Sequence, residues 1–445
     1  DSISMADCTL TQSADGNIRL QSSSFIALSE IRAENESGAQ TISLVAGTYI
    51  IDNDSSDDVD LTAGNLRIEA GSYAGTGTDH IETRVQTVSA STNAGGLYLT
   101  EVNDLKVDRL AQFTSNRVTS DGSAAVVEAS TDSAQEDLSI SGGNVVLQTE
   151  DGSITVNGGN DTAGISATGN ILLQSQQSGE DTSADITLNS LTSSSGGSIS
   201  IISADSVTQA FTDNKDETLD KDGSIVITSG EGTISLYAAA SINMADETRS
   251  KTSNTDIVYE AGEDIRVSSI NAGTGNVALL ASSGSVLDAG DAHIDIAAFG
   301  LQIQAAGSLG TLGENADALD TSLDRVTALS GDPGINLEEI DGLAVNSVQT
   351  KAHKVGADGL TDTLSIDEQS DLLSTGSIVL LSVKGNLEVK DGQRSDGIGI
   401  RTRGSNNILV QSSGENSQIL LEAALRSDGG DITILAGQDV VLRPV

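Results

Sequence analysis

Along this chain short aliphatic runs alternate with polar residues, and each run is opened by a glycine and a small polar residue. Gly16-Asn17-Ile18-Arg19-Leu20, Gly64-Asn65-Leu66-Arg67-Ile68, Gly152-Ser153-Ile154-Thr155-Val156, Gly169-Asn170-Ile171-Leu172-Leu173 and Gly385-Asn386-Leu387-Glu388-Val389 all follow this form. The period of two predicts short strands with one face buried, and the Gly-Asn and Gly-Ser pairs predict tight corners with positive φ. Several such units lie nine residues apart, as in Gly143 and Gly152 (152 − 143 = 9) or Gly376 and Gly385 (385 − 376 = 9). Nine residues hold one strand and one corner. Two or three of them make a rung of roughly 18–27 residues, and rungs stacked about 4.8 Å apart form a rod of roughly 80–120 Å.

A longer repeat lies over the short one. Ser2-Ile3-Ser4-Met5-Ala6-Asp7 returns as Ser241-Ile242-Asn243-Met244-Ala245-Asp246, an offset of 241 − 2 = 239. Leu97-Tyr98-Leu99-Thr100-Glu101-Val102-Asn103-Asp104-Leu105 returns as Ile335-Asn336-Leu337-Glu338-Glu339-Ile340-Asp341-Gly342-Leu343, an offset of 335 − 97 = 238. Gly197-Ser198-Ile199-Ser200-Ile201 returns as Gly430-Asp431-Ile432-Thr433-Ile434, an offset of 430 − 197 = 233. The chain therefore reads as one copy of a unit of about 235 residues over 1–239, and a second, C-terminally truncated copy over 240–445 that continues the first.

Composition narrows the architecture. The 445 residues include no Trp, two Pro and 2% aromatics, so the core must be built from many small aliphatic side chains. An antiparallel sandwich, the structural competitor, usually anchors its core on Trp or Tyr and turns on Pro. Disorder is the other competitor for a chain of net charge −43, but 37% of the residues are hydrophobic and fall in regular β-branched clusters. The expected fold is all-β, a parallel β-helix or β-solenoid with protruding loops at Thr212 to Asp222, Glu247 to Asp256 and Lys351 to Leu372. The acidic field removes nucleic acid as a partner. No apolar run is long enough to insert in a membrane, the single Cys8 excludes an internal disulfide, and a start at Asp1 reads as a piece of something longer.

Candidate chemistry is sparse. Asp52, Asp54, Asp57, Asp58 and Asp60 are spaced like oxygen ligands for Ca²⁺, the one candidate metal, and no other cofactor is expected. In the second copy only Asp288 and Asp295 sit near the corresponding places, with Ala292 and His293 where Asp57 and Asp58 stood. Glu101 and Asp104 could be drawn as a glycosidase pair, but the repeated segment offers Glu339 and Gly342. His80, His293 and His353 lie far apart, and Gly75-Thr76-Gly77 lacks the lysine and helix of a phosphate loop.

The repeat in Gly197-Ser198-Ile199-Ser200-Ile201 and Gly223-Ser224-Ile225-Val226-Ile227 resembles the filamentous-haemagglutinin-type β-helix repeats of giant bacterial adhesins and exoproteins, over nearly the whole chain. The resemblance implies a right-handed β-helix exported to the bacterial cell surface. It implies a non-catalytic structural or adhesive stalk whose partners are neighbouring copies of the same repeat protein and a host, other-cell or matrix surface. The alternative function is a polysaccharide-binding or polysaccharide-cleaving β-helix.

Overall fold

The structure, a computed structural model, describes residues 1–34, 38–53, 58–179, 183–210, 224–290 and 293–443. Among these no helix occurs, and most strands are three to six residues long, paired in parallel. The fold is an all-β parallel solenoid. Among the described residues no helix is long and apolar enough to cross a membrane. Contacts divide the chain into two units, one of Asp1–Ala204 with Val355–Thr361 and one of Asp205–Lys354 with Asp362–Val445. That boundary lies ahead of the 239/240 boundary of the sequence repeat.

In the first unit each turn of the coil supplies three strands. Ile18, Ile42 and Leu66 occupy the same register in Ile18–Ser22, Thr41–Ala46 and Asn65–Ala70, so one turn carries the chain from Ile18 to Ile42 and the next from Ile42 to Leu66. Further along, Val145, Ile171 and Ile199 share a register in the same way, with slightly longer turns between them. All six aliphatic side chains are at most 8% exposed, and they form two apolar columns in different ladders, Leu66 continuing to Val88 and Val145 stacking on Leu97. The second unit repeats the scheme, with Ile257, Val277 and Leu301 stacked in register.

The Gly-polar opening of each strand has a job beyond turning. Asn144 Oδ1 accepts the Asn170 N–H at 2.8 Å, and Asn170 Oδ1 accepts the Ser198 N–H at 2.8 Å. Asn386 and Asn407 do the same for Gln418 and Asp431. The polar residue just ahead of the strand therefore joins these corners to the next rung, after a glycine at Asn144, Asn170 and Asn386 and after Asn406 at Asn407. The glycine itself is required mostly by close approach: a Cβ on Gly197 would lie 2.2 Å from the carbonyl carbon of Gly169. Positive φ, which the motif predicts, occurs at Gly143 (101°) and Gly385 (88°), but Gly169 and Gly197 do not need it.

The repeated segment Leu97–Leu105 marks a place where ladders are exchanged. The strand Gly96–Glu101 pairs at its start with Tyr73–Ala74 and at its end with Ile81–Arg84, fusing two ladders. The strand Thr87–Thr92 conversely splits between Leu105–Val107 and Leu138–Ile140. The same exchange recurs at Gly334–Glu339 and Leu319–Ser330. Each is fastened by a fully buried glutamate. Glu101 accepts the Thr83 hydroxyl (2.7 Å) and the N–H groups of Val85 (2.8 Å) and Asn103 (3.3 Å), and Glu339 accepts those of Thr321, Leu323 and Asp341 at 2.9, 3.1 and 3.2 Å.

Two strand pairs leave the coil just after these exchanges. Phe113–Val118 pairs antiparallel with Ala124–Asp132, and Lys351–Val355 pairs with Thr361–Ser365. The expected loop at Lys351 to Leu372 is thus largely a strand pair. The expected loop at Glu247 to Asp256 is corrected: Thr248–Thr252 is a coil strand, in register with Ser224–Ser229 and Ser269–Asn271. Its inward residues Thr248, Ser250 and Thr252 are at most 2% exposed. Hydroxyls fill the core there, so no aliphatic pattern announces the strand. Thr212 to Asp222 lies outside the described residues.

The polar filling is closed by Tyr259, fully buried. Its hydroxyl donates to Ser250 at 2.5 Å, Ser250 donates to Gln209 Oε1 at 2.8 Å, and Gln209 Nε2 donates back to Tyr259 at 3.0 Å. Removing one corner leaves buried partners unmade. Tyr259→Phe should therefore cost about 1–3 kcal/mol, read as a lower urea midpoint, and an unmoved midpoint would contradict the closed triangle.

Candidate functional site

The segment between the strands Ile50–Asp52 and Leu61–Ala63 has acidic residues at both ends. Asp52 closes the first strand, and Asp60 precedes the second. Glu82 joins them from Ile81–Arg84, the next strand of that ladder, where Thr83 faces Leu61. One carboxylate oxygen from each of the three lies within 4.8 Å of the others. Asp52 and Asp60 are 4% and 2% exposed, and the Glu82 N–H donates to Asp60 Oδ2 at 3.1 Å. Burial, and then the negative charge of Asp52, push both the Asp60 and the Glu82 carboxyls well above the ordinary range.

In the second copy Asp288 and Asp320 lie near Asp295 in the corresponding places, but among the described residues only Asp52, Asp60 and Glu82 bring three carboxylate oxygens within 4.8 Å. Asp295, 1% exposed, accepts the Asp320 N–H on Oδ2 at 2.8 Å, as Asp60 does from Glu82. Its Oδ1 is enclosed without a hydrogen-bond partner. Burial chiefly, then the charges of Asp288 and Asp320, push Asp295 up to about 10. Such a cluster is stable at neutral pH in two ways: it keeps protons, or it holds a hard cation among the oxygens.

The structure brings together two of the sequence candidates and separates the third. Asp52 and Asp60 share the cluster, Asp58 is exposed and not part of it, and Asp54 and Asp57 lie outside the described residues. Spacing along the chain missed Glu82, remote from Asp60 in sequence, because it arrives from the following rung. The rung period that carries Ile18 to Ile42 was the signal that could have found it, since the same step taken from Asp60 ends close to Glu82.

The other candidate chemistry is placed differently. Glu101 is enclosed and saturated by its three donors, whereas the Asp104 carboxylate accepts the Ser153 N–H at 2.7 Å. The His80 ring meets Thr100 and the Ala357 carbonyl at 2.8 and 3.0 Å. Cys8 is exposed, with its Sγ 3.1 Å from Asp7. Phe25, Tyr49 and Tyr73 recur once per rung as a stack, with centroids 5.1 and 5.2 Å apart. Their ring faces are used on one another, and Gly95 closes on the far side of Tyr73. No family model, curated protein or solved structure matches this chain.

A pH dependence follows. Asp295, Glu339 (about 8) and Glu101 (about 7) are all raised, mainly by burial. The folded state then holds protons that the unfolded chain has released, so stability is greatest near the ordinary carboxyl pKa of about 4 and falls as pH rises toward 10. In chelator, unfolding midpoints should decline from pH 5 to 9, and less steeply in Asp295→Asn. Rising stability over that window would contradict the reading. Millimolar Ca²⁺ separates the two states of the cluster: a midpoint at pH 8 that it raises in the parent and not in Asp60→Asn identifies the cation-bound state, and insensitivity identifies the protonated one.

Proposed function

We propose that this chain is part of a non-catalytic structural or adhesive stalk of a repetitive bacterial cell-surface protein, working outside the cell beside neighbouring copies and against a host, other-cell or matrix surface. The observation that carries the reading is the parallel ladder itself. Inward aliphatic residues stack in register, and asparagines and aspartates tie corner to corner, an arrangement in which each rung is held by its neighbours. Such a coil resists bending because every backbone ladder would have to stretch on one side. Outward positions are free to vary, and a net charge of −43 keeps such chains apart in solution. The resemblance to filamentous-haemagglutinin-type repeats supports the same reading.

Small-angle scattering tests the stalk. The expected pair-distance distribution has a narrow cross-sectional peak and a linear tail to roughly 80–120 Å. A symmetric distribution with a radius of gyration near the compact-domain value of about 22 Å would overturn it.

A further inference from the structure

Outward residues of one ladder in the second copy break the acidic character of the chain. Leu329, Leu373, Arg401 and Arg426 are consecutive register partners, one rung apart. Leu329 is 44% exposed. Beside them lies a cavity of about 200 Å³, lined among others by Leu329, Leu373, Arg394, Arg401 and Arg403. Its lining carries these three arginines and one acid, Asp396, a balance of 3 − 1 = +2 in a chain of net charge −43. A second cavity of about 160 Å³ shares Leu329, Leu373 and Arg394 and holds Asp367 and Glu368, so the groove has a cationic and an acidic end.

The guanidinium groups are only partly satisfied. Arg394 lies 3.8 Å from Asp371, while Arg401 and Arg426 share Asp428 at 3.5 and 3.6 Å. Arg401 Nε is buried with no acceptor, and among the described residues Arg403 has no carboxylate within ion-pair distance. Two arginines facing each other across a ladder repel.

The duplication shows that the fold does not need these residues. The matching ladder of the first copy is Ser91, Ser139, Ser166 and Ser193, in the same register and with the same irregularity ahead of Ser166 and Arg401. Thr168 stands where Arg403 does. The same strand register is thus built with serines in one copy and with leucines and arginines in the other.

We propose that this groove is a binding site for an acidic saccharide, with a carboxylate or sulfate group in the arginine fork and the C–H face of a sugar ring on Leu329 and Leu373. Guanidinium groups take both oxyanions in bidentate fashion. A bare inorganic anion would leave the aliphatic half of the groove uncovered. The inference stands apart from the stalk reading, since it concerns side chains that either function would display.

The test is titration calorimetry of the whole chain with a glucuronate tetrasaccharide, a sulfated tetrasaccharide, a neutral glucose tetrasaccharide and inorganic sulfate. Binding of one or both acidic saccharides is expected, weakened at least tenfold in the double variant Arg401→Ser, Arg403→Thr, which restores the residues of the first copy. Leu329→Ser should weaken the saccharides and leave any response to sulfate unchanged, a readout that does not depend on the arginine variant folding. Carboxylate-only or sulfate-only binding names the source of the oxyanion. Equal affinity for the neutral saccharide, sulfate binding as tight as either acidic saccharide, or affinity unaltered in both variants would overturn the proposal. So would salt-sensitive self-association of the chain without saccharide binding.

Discussion

Every level of this structure depends on one constraint, that each strand be covered above and below by a strand in the same register. A three-residue strand such as Ile154–Val156 has no stability of its own. It becomes buried because Leu105–Val107 and Ile186–Leu188 lie on either side of it. The requirement explains the composition as well, because a column of repeated positions favours side chains that stack on copies of themselves. Ile, Val, Leu and the short hydroxyls do this, and large rings mostly do not. Where rings occur, they stack: Phe25, Tyr49 and Tyr73 run nearly parallel, 6° and 7° apart in plane.

The internal duplication separates what the coil needs from what it tolerates. Features present in both copies are the ladder exchange, its buried glutamate and a buried aspartate, Asp60 or Asp295, with Asp320 taking the place of Glu82. These lie inward or at corners, where backbone groups must find partners. The Tyr259 triangle is an inward feature of one copy, with Leu20 at the matching place of the first; the other features present in one copy are outward. The aromatic stack of the first copy is replaced in the second by Asp264, Ser285 and Ser308, joined through the Asp264 carboxylate and the Ser285 hydroxyl to the N–H groups of the following rung. The serine ladder of the first copy is replaced by leucines and arginines. Outward faces are therefore where copies of this unit differ in what they meet.

The sequence made the strands and corners legible wherever aliphatic residues alternate after a glycine, because that pattern reports burial directly. It concealed Thr248–Thr252, whose buried residues are hydroxyls, and it concealed the hairpin at Phe113–Asp132. The segment Leu97–Leu105 stood out as a repeat, but an exchange of ladders is a relation among six strands and leaves no local mark. The candidate cation ligands were half legible for the same reason. Asp52 and Asp60 flank one segment and are close in sequence, whereas Glu82 is close only once the coil has turned. Close approach of rungs, rather than positive φ, accounts for glycines such as Gly169 and Gly197, and spacing alone does not distinguish the two.

Hydrogen exchange on Leu147→Asp shows whether rungs are held by their nearest neighbours. Leu147 is fully buried between Leu99 and Leu173. Protection should be lost in Gly96–Glu101, Val145–Thr149 and Ile171–Ser175, with Ile18–Ser22 and Ile257–Ala261 as protected as in the parent. Uniform loss of protection across all five strands would contradict nearest-neighbour support, and would mean that the chain folds as one cooperative body.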